Sequence, residues 1–248
     1  MRLITWNCKG AFTKKQGAIE ALAPDVLVVP ESEKLTTPDY GPGGKALRSV
    51  EWRGENPNKG LAALSYGDYS LRVHPAYEPE HRWVLPLVVE GPVELTLFAV
   101  WTVPHPRSRL YVQCLFEALE TYRPILESTP VVWAGDFNAN PVFDKPSQPL
   151  KYSDLVARMS ESGLSSLYHL QSGEAHGSES QPTFFMYHHA EKPYHIDFIF
   201  ASRSLIEGGF DLSVGEFAQW QMLSDHMPLV ATLGASLAKR DSPGEAAP

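Results

Sequence analysis

Cysteine is scarce in this chain: Cys8 and Cys114 are the only two among 248 residues. Two isolated cysteines with no CxxC pair argue against a disulfide framework and against a thiolate metal knuckle. A reducing cytoplasm is the expected compartment. Long apolar runs are missing as well. No stretch reaches the roughly 18 apolar residues that a membrane-crossing helix needs, so no membrane association is expected. The opening MRLITWNCKG lacks the apolar core and small-residue cleavage site of a signal peptide. Positive charge is the third shortage. Lys and Arg total 21 against 29 Asp and Glu, a net charge of −8. That balance argues against a broad basic surface gripping nucleic acid by counterion release. It leaves room for a nucleic-acid enzyme, because a bound divalent cation and a few local lysines reverse the sign inside one cleft. Internal repeats and a central linker are also absent. One domain over residues 1–234 and a monomeric state are therefore expected, with a disordered tail from Ala235 onward.

What is present is an ordinary globular balance, 43% hydrophobic and 20% charged, enough for a sizeable core. Alternating or apolar runs read as strands at 2–8, 26–29, 60–66, 69–75, 83–90, 93–103, 130–138, 182–187 and 194–202, with more strand toward the C-terminus. Helices are expected at 16–23, 110–126 and 153–163. Residues 34–60, rich in Gly, Pro and Lys, read as a long surface loop, and 174–181 as a polar, mobile segment. Strands outnumber helices and most are joined by short turns. Two packed, mostly antiparallel sheets flanked by a few helices follow: an α/β sandwich.

Polar groups stand where the apolar runs end. Asn7 closes the first strand, Glu31 the second, and Asp136 with Asn138 follow PVVWAG. Asp197 sits inside HIDFIF, and Asp225 precedes His226 in SDHMP. GDFNAN alone also reads as a turn, since Gly, Asp and Asn are turn residues. If the strand instead continues, Asp136 and Asn138 share a face. A carboxylate there holds a metal or accepts a proton, and an amide donates to a water or an anionic oxygen. A carboxylate inside an apolar strand is costly unless paired. Asp197 therefore calls for a partner, and His226 is the natural one.

WN at 6–7, DVLVVPE at 25–31, GDFN at 135–138, HIDFIF at 195–200 and SDHMP at 224–228 resemble, in order and spacing, the motifs of the endonuclease/exonuclease/phosphatase superfamily, which has the DNase I-like fold. The resemblance covers residues 2–233. It implies a four-layered α/β sandwich, Mg²⁺ or Mn²⁺, and hydrolysis of a phosphate ester. By the same resemblance Glu31 is the principal metal carboxylate, with Asn7 beside it and Asp225 as a further metal-side carboxylate. Asp136 positions or deprotonates the attacking water, and Asn138 helps to orient it. His226 contacts a phosphoryl oxygen and Asp197 backs that imidazole.

The sequence departs from the family pattern in two places. Relatives carry a Tyr or His after the central strand; here Trp101 or Thr102 stands there, with His105, Arg107 and Arg109 just beyond as candidate phosphate contacts. Lys9 stands where nuclease relatives carry an acidic residue, and Glu33 is a possible extra ligand. The segment 184–195 is rich in aromatics and His. Phe184, Tyr187, His188, His189, Lys192, Tyr194 and His195 are candidates for lining the cleft, and for several of them core or hairpin positions serve equally well. Three functions follow: a metal-dependent nuclease on DNA or RNA; a phosphatase or phosphodiesterase on a small or lipid phosphoester such as inositol phosphate or sphingomyelin; or a non-catalytic binding module on the same scaffold.

Overall fold

The computed structural model describes residues 1–35, 45–103 and 111–234. In chain order the strands are β1 Arg2–Thr5, β2 Val26–Ser32, β3 Leu47–Asn56, β4 Lys59–Tyr66, β5 Ser70–Val73, β6 Val84–Glu90 and β7 Leu95–Trp101. They continue as β8 Val131–Asp136, β9 Leu164–Ser166, β10 Phe184–Phe185, β11 Pro193–Tyr194, β12 Asp197–Ser202, β13 Phe210–Val214 and β14 Leu229–Leu233. The helices are α1 Gln16–Glu20, α2 Tyr111–Thr121, α3 Arg123–Leu126, α4 Tyr152–Glu161, α5 Leu167–Ser172, α6 Arg203–Glu207 and α7 Phe217–Trp220. None of the described helices is long and apolar enough to cross a membrane.

Two six-stranded sheets form, ordered β13-β14-β1-β2-β4-β3 and β5-β6-β7-β8-β12-β9, with β10-β11 as a short ribbon. The pairs β1/β2 and β7/β8 are parallel and the other pairs in the two sheets are antiparallel. Strand alternation sorts the side chains into layers. Leu3, Val28, Leu61, Leu97, Val132, Ala134 and Ile199 fill the space between the sheets. Their neighbours point outward: Phe98, Trp133, Phe198 and Phe200 pack under α2 and α4, while Ile4, Trp6, Leu27 and Leu64 pack around Ile19 of α1. This is the four-layered α/β sandwich expected from the sequence.

The reading of 34–60 as loop fails at β3, a ten-residue strand paired with β4. β3 lies at the edge of its sheet, so only Leu47, Val50 and Trp52 pack against a core cluster. With so few apolar residues, an edge strand has almost no hydrophobic signature. The strand expected over 182–187 shrinks to Phe184–Phe185, followed by a tight turn with Tyr187 and His188 at positive φ. Residues 36–44, 104–110 and the tail from 235 lie outside the described residues, and so therefore do His105, Arg107 and Arg109.

Gly135 is required where it stands. Its φ is +150°, and a Cβ there would lie 1.9 Å from the Val100 carbonyl oxygen of β7. Gly135→Ala is expected to destabilise the fold by about 3–5 kcal/mol, combining backbone strain with overpacking. Urea denaturation checks this. A loss below about 1 kcal/mol would mean that β7 and β8 separate easily.

Candidate active site

The layer alternation also builds the site. Thr5 and Asn7 continue the inward parity of Leu3, Asp136 that of Val132 and Ala134, and Asp197 that of Ile199 and Ala201. All four polar residues lie at the same end of the sandwich, because β1, β2, β7 and β8 finish there while β12 and β14 begin there. Asp136 and Asp197 are direct cross-strand partners.

Asp136 is the hub. Its Oδ2 accepts from Asn7 Nδ2 at 2.8 Å and from Asn138 Nδ2 at 2.9 Å. Its Oδ1 accepts from the Asn138 backbone N–H at 2.9 Å. β8 ends at Asp136, and Asn138 has φ +48°. The continuing strand is thus replaced by a turn, and the turn folds the Asn138 amide back onto Asp136. Thr102 completes it: the Thr102 carbonyl accepts from Asn138 Nδ2 at 3.0 Å, and its hydroxyl donates to the Phe137 carbonyl at 2.5 Å.

His226 Nδ1 lies 2.9 Å from Asp197 Oδ2, both side chains being buried. One oxygen of each aspartate and one His226 nitrogen lie within 4.8 Å of one another. Burial and the nearby Asp197 push the Asp136 carboxyl up to about 7, against the opposing pull of His226 and Asn7. Burial disfavours the His226 cation, but Asp197 and then Asp136 outweigh it and raise the imidazole to about 9. The site thus holds a carboxylate poised near neutral pH beside a cationic imidazole. Asp197 Oδ1 is buried with no hydrogen-bond partner.

Glu31 reaches this end of the sandwich by breaking its strand. By alternation it would follow Leu27 and Val29 outward. Instead the register of β2 on β4 shifts between Pro30 and Ser32, and Glu31 takes φ +64°. Its carboxylate pairs with Lys59 Nζ at 2.9 Å, and the same ammonium lies 5.6 Å from the centre of the inward-facing Trp101 ring. Asp225 pairs with Lys9 Nζ at 2.7 Å, and that ammonium also lies 2.8 Å from His188 Nε2. Phe184 tilts against His226 with ring centres 4.6 Å apart.

Several candidates are placed elsewhere. Trp101 is packed in the inter-sheet core, and the Thr102 hydroxyl is committed to the turn. Glu33 accepts from the backbone N–H groups of Phe12 and Thr13, capping the short turn at 12–14. Tyr187 is 72% exposed. His195 is buried, with its Nδ1 2.7 Å from the Gln181 carbonyl oxygen, and packs beside Tyr168 rather than against His226.

Other residues were not anticipated from sequence. The Ser224 hydroxyl donates to the Asn7 carbonyl at 2.7 Å and accepts the His226 N–H. Thr183 Oγ1 accepts the N–H groups of Ile196 and Asp197. Burial first, and then the charge of Asp136, raise the phenol of Tyr111, which places Tyr111 in the field of that carboxylate. Ser224 was legible as part of SDHMP; Lys59 and Tyr111 carried no local signal.

A two-sheet α/β sandwich with amide-held and imidazole-paired aspartates at one end of its sheets defines a phosphoester hydrolase of DNase I-like architecture. The sequence matches the model of the Endonuclease/Exonuclease/phosphatase family over residues 4–226, and the chain belongs to that family. No curated protein sequence matches the chain significantly. Solved structures of the same fold include the 3'-5' exonuclease NExo from Neisseria meningitidis, 21% identical, with TM-score 0.66 over 94% of this chain and 99% of that one. A 3' phosphatase NExo from Neisseria bound to product DNA hairpin is 22% identical, with TM-score 0.64 over 94% and 99%. An AP endonuclease from Archaeoglobus fulgidus is 18% identical, with TM-score 0.59 over 94% and 99%.

Proposed function

We propose that this enzyme is a divalent-metal-dependent phosphodiester hydrolase acting on nucleic acid. The observation that carries the reading is the contact set on Asp136: two amide donors fix one oxygen, and Asp197 with His226 adjoins it. The named activities of the similar folds, nuclease and 3' phosphatase on DNA, support a nucleic-acid substrate. So do Lys9 and Lys59, which bring local positive charge to the cleft of an acidic protein.

Glu31, Asp225 and the Asn7 amide oxygen would hold Mg²⁺ or Mn²⁺. The donor set fits: it is all oxygen, as hard cations prefer, and both carboxylates already pair with a cationic nitrogen. When bound, the cation supplies Lewis-acid neutralisation of phosphate charge. The chain's own residues do the rest. Asp136, held by Asn7 and Asn138, takes a proton from the attacking water. His226, with its Nδ1–H on Asp197, keeps Nε2–H to donate to a non-bridging phosphoryl oxygen. The water oxygen bonds to phosphorus as the opposite P–O bond breaks, and the departing oxygen leaves with a proton from solvent.

Hydrolysis of single- and double-stranded DNA, abasic-site duplex, RNA and inositol polyphosphate with Mg²⁺ or Mn²⁺ tests this reading, with Asp136→Asn as control. Nucleic-acid cleavage lost in the control is the expected result. The net charge of −8 favours the second reading, a small phosphoester substrate. Activity on inositol polyphosphate alone would establish that reading instead.

A further inference from the structure

A second cluster of ligand-type side chains lies behind the GDFNAN turn. α5 carries His169 and ends at Gly173, whose left-handed backbone turns the chain back over the helix. That turn brings His176 and Glu179 onto His169. The two imidazoles stack with centres 3.4 Å apart, and His169 Nε2 lies 3.0 Å from Glu179 Oε1. One nitrogen of each histidine and one Glu179 oxygen all lie within 4.8 Å of one another. Within the segment read from sequence as polar and mobile, two side chains turn inward: Glu179 is 4% exposed and His176 lies parallel to Phe200, while Ala175, Ser178, Ser180 and Gln181 stay exposed.

Two orphaned nitrogens mark this cluster. His176 Nδ1 is buried with no hydrogen-bond partner. His195, whose ring centre is 6.1 Å from that of His169, uses Nδ1 on the Gln181 carbonyl, so its buried Nε2 presents a bare lone pair. Buried lone pairs without donors are costly, and a cation relieves them.

We propose that His169, His176 and Glu179 form a second metal site, distinct from the cleft, for a borderline transition-metal dication of the zinc class. Two imidazoles and a carboxylate are the donor set such ions take, leaving a fourth position beside His195. In a tetrahedral zinc site, ligand atoms about 2.0–2.1 Å from the ion lie about 3.3 Å apart, close to the His169–Glu179 separation. The outer shell is also built. His169 Nδ1 lies 2.7 Å from Ser166 Oγ, which turns Nε2 toward Glu179. Glu179 Oε1 accepts from the Gly177 N–H at 2.9 Å and from Asn140 Nδ2 at 3.1 Å. Asn140 also donates to the His195 carbonyl at 2.8 Å. The ion would therefore brace the loop that carries Asp136 and Asn138 and the start of β12.

The test is metal binding by the full chain. Protein stripped with chelator is titrated with Zn²⁺, and with Co²⁺ for its visible absorption, in saturating Mg²⁺. The expected result is one tightly held Zn²⁺ per chain and a Tm raised by about 5–10 °C at a hundredfold excess over Kd. His176→Ala and the isosteric Glu179→Gln should each weaken Zn²⁺ affinity by at least about 100-fold, beyond the loss typical of outer-shell partners. Glu31→Gln should leave the affinity unchanged. Failure of the wild-type chain to bind Zn²⁺, retained affinity in both His176→Ala and Glu179→Gln, or loss of affinity in Glu31→Gln would each overturn the proposal.

Discussion

Asp136→Asn is expected to lower kcat by about three orders of magnitude with KM little changed. General-base catalysis is worth about 10²–10⁴ in rate, and an amide cannot accept the proton of the attacking water. The side-chain shape is retained, so substrate binding persists. Stability should change little, because two effects oppose each other. Asp136 is held at about 7 in the fold against an ordinary 3.8, so its buried charge is a liability above that range. Stability is fullest below about 4 and is lost as pH rises through about 7; an amide escapes this loss. The same amide, however, turns an NH₂ toward one of the donors that now meet Oδ1 and Oδ2, which costs about 1–3 kcal/mol. The Tm should stay within a few degrees of wild type. Turnover within tenfold of wild type would remove Asp136 from the proton transfer.

The strands that build this end of the sandwich were legible because they are buried on both faces. Val26–Val29 and Val131–Ala134 are apolar without interruption, and such runs end where the sheet ends. The polar residues that follow them, Asn7, Glu31 and Asp136, therefore announced a shared edge. Asp197 announced its partner by the cost of a lone carboxylate in an apolar strand, and His226 does sit on it. Other features depend on contacts that no local pattern encodes. The bulge that re-aims Glu31 is visible only in the register of β2 against β4. Lys59 reaches Glu31 from a stretch that read as loop. Trp101 and Thr102 were candidates because they stand where relatives carry a Tyr or His; Trp101 packs between the sheets, and the Asn138 turn consumes the Thr102 groups. His195 is two residues from Asp197 and shares its parity, yet Gln181 holds its ring in the second histidine cluster. Parity gives the face of a strand; the destination of a side chain past the strand end is set by the loop it meets.

Asp197→Asn should move the alkaline limb of the rate profile, and His226→Ala should remove it. In the wild-type enzyme burial alone would drive the His226 imidazole below its ordinary 6.5, but Asp197, with help from Asp136, raises it to about 9. The imidazolium that donates to phosphate is thus present across neutral pH and is lost as pH passes about 9. In the Asp197→Asn variant the largest opposing charge is gone. The alkaline limb should move to lower pH, and activity should survive only on the acid side. His226→Ala should cost about 10²–10³ in kcat below about pH 9, the loss typical for one preorganised donor, and progressively less above it, where the wild-type imidazolium is itself lost. Folding carries the same signature. His226 is raised on folding, so its contribution is complete below 6.5 and disappears as pH rises through about 9, a decline of about 3 kcal/mol. Asp197→Asn should flatten that decline. Rate profiles and urea midpoints between pH 6 and 10, with NMR titration of the His226 ring, read both effects. An alkaline limb unmoved in Asp197→Asn would mean that His226 owes its charge to something other than the aspartate it touches.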